Sequence, residues 1–211
     1  MTESEIQSKL RETFIQKMKE KECFLCWMLA HDEFSVLAHV QYEIGRLEKP
    51  LIDEVVQAGG FCNHHFHELL RLSNPPYLAR FLQRLAEDVI HHKTRFLGLR
   101  RADCPLCNSL RKKETEYIAY FHNLFLSDTH FHEKYCDKGS LCLPHLAKVL
   151  KSDLPQEEKE KLLNHQMNII KNIQENLRNL SRKSYYQAEK DEKEAPRQMT
   201  LLIVGRYGAE Q

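Results

Sequence analysis

Six of the seven cysteines in this 211-residue chain fall into a regular pattern with two histidines. Cys23-Phe24-Leu25-Cys26 is followed by Cys62-Asn63-His64-His65, and Cys104-Pro105-Leu106-Cys107 by Cys142-Leu143-Pro144-His145. CxxC and then CxxH therefore occur twice, with 36 positions from Cys26 to Cys62 and 35 from Cys107 to Cys142. Two thiolates three positions apart can grip one cation from a tight turn, and a Cys and a His three apart at a helix start point the same way. Each half of the chain offers three sulfurs and one imidazole. Borderline-soft Zn²⁺ suits that set in a tetrahedron, and four protein ligands leave no position for water or substrate, so such a site is structural. The expected ligands are Cys23, Cys26, Cys62 and His65 in the first half and Cys104, Cys107, Cys142 and His145 in the second, for two Zn²⁺ per chain. Spacing alone also allows a crossed arrangement, in which the CxxC of one half joins the CxxH of the other.

His65 is preferred over its neighbours because the repeat gives it a counterpart. His145 matches His65, whereas Pro144 matches His64 and Ala147 matches His67. His64 and His67 then read as exposed or supporting residues. His91, His92, His130 and His132 lack a partner at ligand spacing, and Cys136 stands outside the motif as a buried or free thiol. Rival uses of the same cysteines are disulfides, which an odd count and the accompanying histidines disfavour, and an iron–sulfur or thiol-redox sensor, for which Cys₃His is an unusual ligand set. No glycine-rich phosphate loop, G-x-S-x-G or H-E-x-x-H occurs, and Glu43 and Asp53 are single carboxylates with no acid–base partner. No catalytic residue is assigned.

Helices must position these ligands. Apolar residues recur in steps of four at Ile6, Leu10, Phe14 and Met18, and steps of three and four run through Ala30, Phe34, Leu37, Gln41, Ile44 and Leu47. A short segment, Leu51 to Val56, ends at Gly59-Gly60, and a helix carrying Tyr77, Phe81, Leu85, Val89 and Phe96 follows the break at Pro75-Pro76. The order of events restarts at Cys104 and closes with a long helix through Leu163, Ile170, Ile173 and Leu180. This reads as an all-α tandem repeat, with modules at residues 1–98 and 99–187. Gly60 and Gly139 precede the two CxxH turns. Residues 188–211 open on the polar run AEKDEKEAPRQ and read as a flexible tail. Within it, the apolar stretch 200–208 reads as frayed or docked back on the body, ahead of a strand offered to a partner's sheet.

Composition adds limits. Only 7 glycines, about half the roughly 7% of an average protein, disfavour an all-β or glycine-rich nucleotide-binding fold. No leader-like segment or long apolar run occurs, so the cytoplasm is the expected compartment and no membrane contact is expected. Lys93, Arg95, Arg100, Arg101, Arg111, Lys112 and Lys113 form a basic stripe that would attract nucleic-acid phosphates. Overall formal charge is only +1, and six thiolates with two Zn²⁺ would make it negative, which favours a solvated connector. An unidentified protein partner fits a binding module better, and nothing in the sequence sets the oligomeric state.

The stretches ECFLCWML, QYEIGRL and QAGGFCNHHFHEL, with DCPLCNSL and GSLCLPHLAKVL, resemble an uncharacterised prokaryotic family of helical proteins with duplicated CPLC…GFCxxH modules. The resemblance spans residues 20–150 and departs at Phe24, where the second motif has a proline between its sulfurs. It implies a metal-bearing duplicated helical fold and carries no assigned activity. The expectation is a helical protein with two structural Cys₃His zinc sites, acting as a binding or regulatory module.

Overall fold

A computed structural model describes residues 3–18, 22–46, 49–91 and 104–205. Among these residues every regular element is helical and there is no strand: α1 (Glu3–Met18), α2 (Phe24–Arg46), α3 (Lys49–Gln57), α4 (Asn63–Leu72), α5 (Pro75–His91), α6 (Pro105–Ser127), α7 (Thr129–Lys138), α8 (Leu143–Leu150), α9 (Gln156–Arg182) and α10 (Lys190–Val204). A 3₁₀ turn, Tyr185–Gln187, joins the last two. No helix among the described residues is long and apolar enough to cross a membrane.

The chain does not divide at residue 98. Its contacts separate one compact unit, made of the described residues up to Met28 and from Glu116 onward, from a second, Leu29–Thr115. Both boundaries fall inside long helices, because α2 and α6 each run 23 residues, or about 35 Å at 1.5 Å per residue. A helix of that length starts in one compact body and ends in the other. The two linear modules expected from the repeat are therefore replaced by one unit inserted into another.

In the inserted unit, Leu37, Val40 and Ile44 of α2, Val55 and Val56 of α3, Leu69 of α4, and Leu78, Phe81 and Leu85 of α5 form one apolar core with Phe61 and Leu106. The inward stripe of α2 runs through Leu29, Glu33, Leu37, Val40 and Ile44: Phe34 of the expected stripe is 59% exposed, Glu33, one turn before Leu37, is buried in its place, and Leu47 lies outside the described residues. Gly60 has φ +99°, a left-handed conformation that turns the chain into α4, and a Cβ there would meet the Phe66 ring at 2.8 Å. Gly139 does not need that conformation, with φ −72°; it makes room for the Tyr135 ring instead.

The outer unit is built on aromatic packing. Phe14 of α1 lies 4.6 Å, centroid to centroid, from Phe24 at the head of α2, and Phe121 of α6 lies 5.3 Å from Tyr135 of α7. Phe14, Phe24, Phe121, Phe131 and Tyr135 are all fully buried, and offset or tilted aromatic pairs of this kind add to the burial of their area. Arg11 of α1 bonds Asp128, whose other oxygen accepts from the Phe131 amide at 2.9 Å and so caps α7.

Residues 188–205 correct the expectation of a flexible tail. The run is polar on average, but Ala188, Ala195 and Leu202 are buried at helical spacing, and α10 packs against α9 and α8. The small Ala195 lets the two helices approach closely, and Glu192 is the one charged residue of α10 that is buried. Glu189 and Glu192 form a reciprocal cap at its start, and Lys183 reaches Glu192 at 2.7 Å. The part of the apolar stretch that is described, 200–205, is the last turn of this docked helix and its C-cap, Gly205.

Candidate metal centres

The CxxC and CxxH spacings have one local explanation, which is the geometry of a helix start. Cys62 and Cys142 are the N-caps of α4 and α8, with extended backbone and ψ of 166° and 157°. Cys23 and Cys104 stand directly before α2 and α6, and all four carbonyls accept the first intrahelical bond, from Trp27, Phe66, Asn108 and Leu146. The partner ligand three positions on is the third residue of the helix. N-cap and third-residue side chains face each other across the first turn, which is why a capping box has the same spacing. Pro105 at the first helical position and Pro144 at the second remove amides that no helix bond uses.

The four helix starts meet in crossed pairs. Cys23 and Cys26 join Cys142 and His145 in the outer unit, and Cys62 and His65 join Cys104 and Cys107 in the inserted unit. This corrects the pairing of each CxxC with the CxxH that follows it. Because α2 and α6 each carry the chain from one unit to the other, the CxxH downstream of either helix lies in a different body from the CxxC at its head.

In the outer cluster, His145 Nδ1 lies 3.1 Å from Cys142 Sγ and 3.3 Å from both Cys23 Sγ and Cys26 Sγ, and Cys26 and Cys142 Sγ are 3.5 Å apart. In the inserted cluster, His65 Nδ1 lies 3.2 Å from Cys62 Sγ, 3.4 Å from Cys104 Sγ and 3.5 Å from Cys107 Sγ, with Cys62 and Cys107 Sγ 3.6 Å apart. Bond lengths of about 2.3 Å to sulfur and 2.0–2.1 Å to nitrogen place tetrahedral ligands roughly 3.8 Å (S···S) and 3.6 Å (S···N) apart, so both sets fit a single Zn²⁺ after slight expansion. A disulfide requires sulfurs at about 2.05 Å, and these cysteines are free thiols. Seven of the eight residues are buried, and Cys62 is half-buried.

Electrostatics in both clusters favour a cation. Burial pushes the Cys23 thiol well up, while hydrogen bonds from Cys142 and Cys23, and then His145, pull Cys26 well down. Burial also raises Cys104, but His65 and the amides of Cys107 and Cys62 outweigh it and bring the thiol down to about 6. Burial lowers His65, yet Cys104 and Glu33 hold its proton and lift it to about 10. Thiolates gathered around a shared proton release that proton to a metal ion.

Behind each first turn stand residues that periodicity alone misses. Glu33 Oε1 lies 3.2 Å from His65 Nε2 and 2.6 Å from His64 Nε2, so His64 supports the site through a carboxylate, as its place beside His65 allows. A carboxylate on the far nitrogen fixes the tautomer in which Nδ1 faces the sulfurs, and raises the basicity of the ligand. The signal was an acid interrupting the buried stripe Leu29, Leu37, Val40, Ile44. Over the outer cluster lies Gly205, the C-cap of α10, with φ +78°; a Cβ there would stand 3.2 Å from Cys26 Sγ and 3.4 Å from Cys142 Sγ. Arg197 of the same helix bonds Glu22, next to Cys23.

The remaining sequence candidates do not gather into a site. His67 and Cys136 are exposed, Asp53 is paired with Arg84, and Glu43 lies 3.9 Å from His39. His91 ends α5 exposed, and His132 packs on the Phe125 ring at 4.4 Å. Arg111, Lys112 and Lys113 are exposed on α6, whereas Lys93, Arg95, Arg100 and Arg101 lie outside the described residues, as do His92 and Phe96.

Neither the curated proteins nor the solved structures contain a match to this chain. A family model matches residues 82–196, a span that holds Cys104 and Cys107 of one cluster and Cys142 and His145 of the other. On that match, which covers more than half of the sequence, the chain belongs to DUF6062, a family of unknown function.

Proposed function

We propose that this protein is a zinc-stapled helical binding or regulatory module, with one structural Zn²⁺ held by Cys23, Cys26, Cys142 and His145 and a second by Cys62, His65, Cys104 and Cys107. The observation that carries this reading is the convergence of three sulfurs and one imidazole nitrogen, twice, within 4.8 Å of one another. Donors so close together surround the volume of one ion, which supports a mononuclear site over an iron–sulfur cluster. With all four positions filled by protein, the metal's work is to fasten helix starts together, and its binding free energy becomes folding free energy. The inserted site closes a loop of 39 residues between His65 and Cys104, and the outer site closes 116 between Cys26 and Cys142. The cytoplasm, with its reduced thiols, suits this chemistry.

Metal analysis of protein purified under reducing conditions tests the proposal. Two zinc per chain, released together with loss of helical structure on chelation, is the expected result. Iron with visible absorption, or metal-free folded protein, would overturn it.

A further inference from the structure

Helix α5 carries two apolar stripes, and among the described residues only one is packed into a core. Leu78, Phe81 and Leu85 are buried in the core of the inserted unit. Ala79, Leu82, Ala86 and Val89 recur in steps of three, four and three along an adjoining face, all of them exposed, and Ile90 extends it at 64% exposure. That spacing is the a/d repeat by which helices pair. Isolated exposed apolar side chains are ordinary on a protein surface, but an aligned set is the mark of an interface.

The charges beside this seam indicate what covers it. Arg80 and Glu87 lie on its solvent flank, one near each end, and both are exposed. Gln83 bonds Glu87 at 3.4 Å along that flank, and among the described residues no acidic group sits at ion-pair distance from Arg80. Arg84, one position further round, is already paired with Asp53 of its own chain. A basic end and an acidic end separated by an apolar seam are complementary to the same surface turned end for end. A two-fold axis near residue 84 sets Leu82 against Ala86 of the other copy, Ala79 against Val89, and Arg80 near Glu87. The alanines at alternate positions allow the close helix approach that brings those flanking side chains within reach.

We propose that the outer face of α5 is a homodimer interface, in which two copies pair α5 antiparallel through the Ala79–Leu82–Ala86–Val89 seam and exchange Arg80–Glu87 contacts. Such an interface is isologous, as in most symmetric dimers. One helix pair buries little area compared with a permanent dimer, so the association is weak and concentration-dependent.

Light scattering and sedimentation of the full metal-loaded chain over a range of concentrations test this. Wild type is expected to pass from monomer to dimer as concentration rises, and Leu82→Glu to stay monomeric. Arg80→Glu alone and Glu87→Arg alone each set like charges together twice per dimer and are expected to weaken dimerisation about tenfold or more. Mixing those two variants restores complementary pairs at both ends, so the mixture is expected to form a heterodimer as tight as wild type. Unchanged zinc content and circular dichroism establish that the variants are folded. A wild type that stays monomeric at hundreds of micromolar, whether α5 is then bare or holds another protein, overturns the proposal. So does a dimer insensitive to Leu82→Glu, or a charge-swapped pair that fails to rejoin.

Discussion

The outer and inserted clusters share their four donors and their place at helix starts, but different neighbours back them. In the inserted cluster the support is electrostatic, since Glu33 stands behind His65 and also holds His64. In the outer cluster a backbone lies against the sulfurs, where Gly205 ends α10 against Cys26 and Cys142. The first arrangement governs the charge and orientation of one histidine, and the second lies where it would cover a bound metal. Identical local motifs can thus have their affinity and their exchange kinetics set separately by residues far away in sequence.

The sharpest way to break the comparison is to remove ligands in pairs. Cys26→Ser combined with Cys142→Ser strikes one cluster, so one zinc equivalent is lost and the inserted unit keeps its metal. Cys26→Ser combined with Cys62→Ser strikes both, and two equivalents are lost. Pairing within each half predicts the reverse, so metal stoichiometry of the two double variants decides. Each lost ion withdraws binding free energy on the order of 10 kcal/mol from its unit, which thermal unfolding should register.

A smaller effect isolates the carboxylate. Glu33→Ala is expected to weaken zinc at the inserted site by about 10- to 100-fold, as loss of a carboxylate behind a ligand histidine does. The outer site should hold its metal unchanged, and competition with a graded chelator distinguishes two equal affinities from two unequal ones. Equal weakening at both sites would remove Glu33 from its assigned place.

Gly205→Leu is the counterpart in the outer unit. Its left-handed backbone costs a side chain roughly 1–2 kcal/mol, and the new Cβ crowds both sulfurs. Zinc should leave the outer site faster in a chelator chase, with the inserted site unaffected. Equal release rates in mutant and wild type would show that α10 does not cover the metal.

The mildest test is acid. Arg11 holds the Asp128 carboxyl below its ordinary value, with help from the Phe131 amide. A depressed folded-state pKa contributes stability that is present above the unfolded value of about 3.9 and is lost as pH falls through the folded value. The ion pair is partly exposed and adds little, so Asp128→Ala should cost about 1 kcal/mol near neutrality, mainly as a lost N-cap. That difference should shrink below pH 4 and be confined to the outer unit. Denaturant midpoints at several pH values would measure it.

Much of the fold and of the site could be read from the residues themselves. Helical periodicity marks α1, α2, α5 and α9, and the spacing of three between paired donors is legible because it is set within one helical turn. Three features were not legible. Glu33 was passed over because a polar residue in an apolar stripe counts against burial until its partner is known. Residues 190–204 read as a tail because a closely packed Ala195 adds almost nothing to average hydropathy. The pairing of the clusters was open because the intervals of 36 and 35 residues say how much chain separates two half-sites and not where that chain runs.

The sequence by itself therefore determined which donors could hold a metal and their placement at helix starts, since each depends on residues no more than a turn apart. Which start meets which was decided only by the tertiary structure. Two 23-residue helices each leave one compact unit and end in the other, and that long-range path brings every CxxC to the CxxH of the opposite half.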